Sequence, residues 1–189
     1  MRKHIIFWLW VLIILSALYF YFFRNDLILA GVAQMMRLPL AWRYAIFLIL
    51  GCLRGFTLIP VTYLILLGLV FLPAGHAYLL TIIGVMVAST SIYYFAEYLG
   101  LAGYFERYYP RQIARLKSVM RKNELPIVIG WSFFPITPTD VMCYMCGSLK
   151  VNFKKFFFGV LVGEGISCAI YIFVGKGLLL LILHRIFGG

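Results

Sequence analysis

The sequence predicts an all-α membrane protein: an inverted repeat of two re-entrant helical hairpins, each followed by a transmembrane helix, with one further transmembrane helix at the N-terminus. Three observations lead there. Hydrophobic residues make up 64% of the 189 and charged residues 12%, against roughly half and about a quarter in soluble domains, so most side chains must meet lipid. One pattern, Gly-aromatic-hydroxyl-apolar-apolar-Pro-β-branched-Thr, occurs twice, as Gly55-Phe56-Thr57-Leu58-Ile59-Pro60-Val61-Thr62 and Gly130-Trp131-Ser132-Phe133-Phe134-Pro135-Ile136-Thr137. Gly68 precedes Gly84 by the same interval as Gly147 precedes Gly163, so the repetition runs on into the following spans.

Taken in order, Arg2 and Lys3 precede Ile5 to Phe23, an uncharged apolar run of about 28 Å at ~1.5 Å per residue. It reads as a first span with its amino end in the cytoplasm. It is long for a signal-peptide h-region and no A-x-A-like cleavage site follows, so an uncleaved anchor is expected. Arg24 to Arg43 mixes charges with short apolar pieces around Pro39 and suits an interfacial linker, which closes a first segment, 1–43.

A membrane domain is expected over 44–177, its first repeat spanning 44–100. Tyr44 to Leu72 is apolar but carries Arg54, Gly55, Thr57 and Pro60 near its centre. Proline lacks the amide hydrogen, and in lipid the carbonyls it frees need protein or cavity water, so two short helices meeting at the break fit better than one straight span. Ala77 to Ala96 is then an uninterrupted span, with Gly84 and Ala88 in a small-xxx-small arrangement. Segment 101–124 is the one strongly polar stretch. From Pro110, Ile113, Leu116 and Met120 fall on one helical face and Arg111, Arg115 and Lys122 on another, a basic amphipathic helix suited to anionic headgroups or simply a positive-inside loop. The second repeat, 125–177, has Pro126, Pro135 and Pro138, then Asp140. Lys150, Lys154 and Lys155 mark a second cytoplasmic boundary, and the span from Phe156 to Val174 carries Gly159, Gly163, Glu164 and Ser167. Residues 178–189 are too short a run to cross again and read as an interfacial tail. With the amino end inside, the first hairpin falls on the outer side and the second on the cytoplasmic side.

Seventeen basic residues against six acidic ones give a net charge of +11. In this apolar context the charge points to anionic phospholipid rather than to nucleic acid. Cys52, Cys143, Cys146 and Cys168 lie in apolar runs, where cysteine packs as a small hydrophobe. The Cys143-x-x-Cys146 pair has no second pair and no nearby histidine to complete a metal site. No phosphate loop or nucleophile elbow appears, so neither catalysis nor a cofactor is expected.

An ionisable group at the bilayer centre costs roughly 2.5–3.5 kcal/mol even on lenient scales, so each needs a partner or a watery cavity. Arg54, Asp140 and Glu164 are the three candidates. Either Arg54 grips a phosphate while Asp140 or Glu164 exchanges a proton or cation, or the three form a static ion pair that fixes packing. Thr57, Pro60, Pro135, Thr137 and Pro138 at the breaks join Arg54 and Asp140 as the candidate substrate-binding set. The hydroxyls of Thr57, Thr62, Ser132, Thr137 and Thr139 crowd the same breaks and either line a polar path or satisfy freed backbone groups. Gly68, Gly84, Gly147 and Gly163 are the structural positions, with Gly84 and Gly163 in small-residue stripes that let another helix approach closely. Paired interrupted segments in two halves mark transport sites near the midplane.

The run Leu53-Arg54-Gly55-Phe56-Thr57-Leu58-Ile59-Pro60, the Gly68 to Phe71 turn, and Phe134-Pro135-Ile136-Thr137-Pro138-Thr139-Asp140 with Tyr144 and Gly147 resemble the DedA superfamily, in particular its VTT-domain, or SNARE-associated, branch. The resemblance covers about residues 45–177. It implies opposed re-entrant hairpins and movement of lipid between leaflets, with phospholipids or undecaprenyl phosphate as substrates and protons or monovalent cations as coupling partners. By position, Arg54, Pro60, Pro135, Pro138, Asp140 and Gly147 match the family pattern. Ser132 departs from it, since many relatives carry arginine there, and Arg54 stands in a hairpin where the well-studied DedA subgroup carries acids. Coupling by that subgroup's route is therefore not implied, and Glu164 is the residue that could take its place. The expected function is a lipid transporter or scramblase in the cytoplasmic membrane, with homo-oligomers allowed. A coupled carrier of a small anionic solute and a non-transporting assembly factor are the alternatives.

Overall fold

The computed structural model describes residues 6–12, 15–16, 31, 34–57, 60–100, 107, 110–134 and 139–175, which are helical with no strand among them. Most of the expected first span, the tail, and Pro135, Thr137 and Pro138 lie outside these residues. Seven helices organise the rest: α1 (Leu40–Leu53), α2 (Val61–Phe71), α3 (Ala74–Leu99), α4 (Pro110–Lys122), α5 (Glu124–Phe133), α6 (Thr139–Leu149) and α7 (Phe153–Ala169). A 3₁₀ turn, Arg54–Phe56, follows α1, and a π-helical turn, Ile170–Val174, continues α7.

Prolines set the helix starts. Pro39, Pro60 and Pro73 precede α1, α2 and α3 with φ of −55°, −57° and −58° and extended ψ. At that position the missing N–H leaves no helical bond unmade, while the residue before each proline is pushed out of the helical region. Leu72, extended at φ −128° and ψ 151°, is where α2 stops for this reason. Pro126 lies in the first turn of α5, where amides have no intrahelical acceptor. The starts and stops of these helices are thus local chemistry. Asn152 caps α7 by accepting from the amides of Lys154 and Lys155 at 3.1 and 3.3 Å. α3 ends at Gly100 in the left-handed region, and α6 ends at Lys150, whose φ of 54° puts a non-glycine residue there.

Helix direction can be read from contacts. Along α1 and α3, Tyr44 meets His76 at 3.1 Å, Gly51 meets Gly84, and Gly55 meets Ala88 and Ile92, so the two helices run parallel. α2 turns back, bringing Gly68 against Phe47 and Ala77 near the start of α3. In the second group Glu124 pairs with Lys155 at 2.9 Å, Val128 meets Gly159, and Ser132 meets Gly163. α5 therefore runs parallel to α7. α3 and α7 run oppositely, since Tyr78 near the start of α3 donates to the Gly165 carbonyl at 3.3 Å and touches Phe173, while Glu97 at its end reaches Lys150 just before α7.

α3 is the central element, packed on α1, α2, α6 and α7. The four structural glycines all lie at close approaches. A Cβ on Gly84 would stand 3.1 Å from the Gly51 backbone, one on Gly163 2.6 Å from Ser132 Cβ, and one on Gly68 2.8 Å from the Phe47 ring. A Cβ on Gly147 would fall on the Tyr93 carbonyl oxygen. Tyr93 also donates to the Val151 carbonyl at 2.6 Å, tying α3 to the turn between α6 and α7.

α3 has 26 residues and Phe153–Val174 has 22, about 39 and 33 Å at ~1.5 Å per residue. Both are long and apolar enough to cross a bilayer. Their outer faces expose Leu79, Ile83 and Val87 on α3, Phe158, Val162 and Ile166 on α7 and Ile170 in the turn that continues it, while Arg54, Asp140 and Glu164 are buried. That distribution, apolar outside with charges inside, suits lipid as the surrounding solvent.

Gly147→Ala is expected to lower stability by about 1–3 kcal/mol, because the methyl must displace backbone rather than a flexible side chain. Gly75, with open space around it, serves as the control: thermal unfolding in detergent should show no loss for Gly75→Ala.

Candidate functional site

The 3₁₀ turn after α1 builds the first half of the site. Thr57 closes it twice over, its amide donating to the Arg54 carbonyl at 2.8 Å and its hydroxyl to the same oxygen at 2.6 Å. The turn presses Gly55 against α3 so tightly that a Cβ there would lie 2.5 Å from Ile92 Cδ1 and 3.2 Å from Ala88 Cβ. Glycine allows this approach without displacing Ile92 or Ala88, and the neighbouring Arg54 side chain lies in the interior, where 6% of it remains exposed.

The second half comes from α6. Asp140, 1% exposed, lies in its first turn, where the aligned peptide dipoles favour negative charge. Arg54 Nη1 donates to Asp140 Oδ2 at 3.1 Å, a charge-assisted bond joining the two chain breaks. Asp140 Oδ1 has no hydrogen-bond partner among the described residues and stands 3.4 Å from where a Gly55 Cβ would be.

Glu164 on α7, 2% exposed, completes the cluster. The Thr139 hydroxyl donates to Glu164 Oε1, and Cys168 Sγ donates to Oε2 at 3.5 Å. Arg54 attracts the Glu164 carboxylate as well as that of Asp140, and the two acids repel each other. Three ionisable groups far apart in sequence thus form one electrostatic unit inside the helical bundle.

Of the residues singled out from sequence, the structure brings Arg54, Asp140 and Glu164 together. Thr57 sits at the same break with its hydroxyl spent on the local turn. Pro60 is exposed at the start of α2. Arg111, Arg115 and Lys122 are exposed on α4, whose Met120 is buried; the side chains of Ile113 and Leu116 are outside the described residues. Cys143, Cys146 and Cys168 are buried free thiols, and no group of three or more potential metal ligands occurs among the described residues. Thr139, one of the hydroxyl residues expected at the breaks, donates to Glu164; Gly55 and Cys168 belong to the site although sequence reasoning did not place them there. Cys168 was within reach, since it lies one helical turn after Glu164 on the same face. The Thr139–Glu164 bond depends on how α6 meets α7 and has no local signal.

An all-helical bundle with apolar outer faces, two helices long and apolar enough to cross a bilayer and a buried ionisable cluster at two chain breaks fits a membrane protein. The model of the VTT domain matches residues 58–177, and the chain belongs to that family, the DedA/SNARE-associated family of membrane proteins, whose members are generally transporter-like. The match begins within the first break, so α1 and Arg54 precede it. Searches of curated proteins and of solved structures found no match.

Removing one partner of a buried ion pair leaves an uncompensated charge and costs about 3–5 kcal/mol, whereas replacing both with apolar residues is often near neutral. Arg54→Met and Asp140→Leu are each expected to destabilise by that amount. The double substitution should recover most of the loss, giving a large coupling in a double-mutant cycle of thermal unfolding.

Proposed function

We propose that this protein moves phospholipid or polyprenyl-phosphate headgroups between leaflets of the cytoplasmic membrane, through a polar path at its two proline-broken hairpins. The observation that carries the reading is the Arg54–Asp140 pair, which joins the two breaks inside an otherwise apolar bundle. An arginine is suited to a headgroup phosphate, and a carboxylate beside it offers the exchange partner that releases the phosphate again. The acyl tails stay in lipid while the headgroup crosses, which lowers the barrier without a closed pore.

The helix directions support an inverted-repeat arrangement. α1 and α2 leave and return near the start of α3, α5 and α6 do so near the start of α7, and the two long helices run oppositely. Read as re-entrant hairpins entering from opposite sides, they bring their broken tips together near the midplane, where such transporters bind substrate. The amino end then lies in the cytoplasm, and α4 lies along the cytoplasmic surface with Arg111, Arg115 and Lys122 toward anionic headgroups. Asp140 and Glu164 are the groups suited to exchange a proton or monovalent cation during the cycle.

Exchange of fluorescent phospholipid in proteoliposomes tests the reading. The parent chain is expected to speed exchange, and Asp140→Asn, compared at equal amounts of folded protein, to lose at least about tenfold, the loss of roughly one charge-assisted hydrogen bond. Folded parent protein that exchanges neither phospholipid nor polyprenyl phosphate would overturn it; uptake of a small anion by the same vesicles would then favour a solute carrier with Arg54 as the anion ligand.

A further inference from the structure

The two buried acids are held in different ways. Asp140 faces a charged partner through Oδ2, and Oδ1 is open among the described residues. Glu164 has both oxygens occupied by neutral donors, the Thr139 hydroxyl and the Cys168 thiol. Thr139 is therefore the immediate neighbour of one acid and the hydrogen-bond donor to the other. It is also the first residue of α6, so its bond decides where the amino end of that helix rests on α7.

We infer that Thr139 is a positioning residue that makes Asp140 and Glu164 one unit: its bond to Glu164 sets the first turn of α6 and thereby the seat of Asp140 against Arg54. The inference deepens the transport reading and rests on it for what the unit does. It stands on geometry of its own for whether the unit exists. A threonine hydroxyl can accept from free amides at a helix start and still has its proton to give elsewhere. Here the hydroxyl proton goes to a carboxylate on another helix. The neighbouring α6 residue, Asp140, is held by Arg54, on a turn that packs against α3 at Gly55. α6 is thus fixed at its first two residues by two bonds to two different elements. A change at Glu164 that releases Thr139 frees one of them, and the Arg54–Asp140 bond loses the register that aligns it. The groups facing Glu164 are Arg54 from the 3₁₀ turn, Thr139, Asp140 and Cys143 from α6, and Cys168 on its own helix. Among these, Thr139 alone both bonds Glu164 and adjoins Asp140.

The test uses the full chain in proteoliposomes with Thr139→Val, which keeps the shape and removes the donor, and Thr139→Ser, which keeps the donor. Two readouts are taken: phospholipid exchange, and the infrared carboxyl band of Glu164, assigned by its disappearance in Glu164→Gln. Thr139→Val is expected to shift the Glu164 band and slow exchange by about 10- to 100-fold, the loss of one hydrogen bond to a charged group. Thr139→Ser should keep both at parental values. A Glu164 band unmoved by Thr139→Val overturns the inference, and so does a Thr139→Ser variant as defective as Thr139→Val, which would make the methyl group the cause. If Thr139→Val fails to fold, Thr139→Ser and Glu164→Gln still decide it: parental behaviour of the first, with loss of exchange in the second, is the expected pair, and any other pair counts against it. A parent chain that exchanges no lipid would remove the transport reading while the shift of the Glu164 band still decides whether Thr139 holds Glu164.

Discussion

A guanidinium and a carboxylate held 3.1 Å apart inside an apolar bundle constrain nearly everything around them. In a medium that cannot solvate charge, neither group tolerates separation from the other, so the segments that carry them must meet. Those segments are the two chain breaks, one after α1 and one before α6. The pair thereby ties the first half of the molecule to the second across 86 residues of sequence. The rest of the fold can be read as what is needed to bring the breaks together and keep lipid and water from parting them.

Small residues do the first job. Gly55 lets the 3₁₀ turn lie on α3, Gly84 lets α1 approach α3, and Gly147 lets α6 lie on the backbone of Tyr93. Each removes a side chain between two helices, which in lipid is the main way to gain packing, since hydrophobic burial offers little when the solvent is itself apolar. Gly159 and Gly163 do the same between α5 and α7. Prolines do the second job, because they end helices where the chain must turn back and leave few amides without acceptors.

Glu164 enlarges the pair into a cluster. With two acids and one arginine in mutual reach, the cluster's charge is not balanced by internal pairing alone when both acids are ionised. By contrast the pairs between Glu97 and Lys150 at 3.8 Å and between Lys155 and Glu124 at 2.9 Å have exposed lysines. Surface pairs of this kind contribute little and orient helix ends at most.

The sequence by itself determined the solvent, the helical class and the identity of the three charged residues. Apolar composition, uninterrupted runs such as Ala77 to Ala96, and prolines at repeated positions are local signals, and the rule that an intramembrane charge needs a partner singles out Arg54, Asp140 and Glu164 without any coordinates. It also singled out Gly68, Gly84, Gly147 and Gly163 by their repeated spacing. Only the tertiary structure decided how these are used. Which acid takes the arginine, that Glu164 is instead held by Thr139 and Cys168, and that the Thr57 hydroxyl closes a turn all follow from the parallel docking of α1 on α3 and of α5 on α7. Those dockings depend on contacts between residues distant in the chain, and no spacing within one helix encodes the distance from a side chain to a neighbour on another.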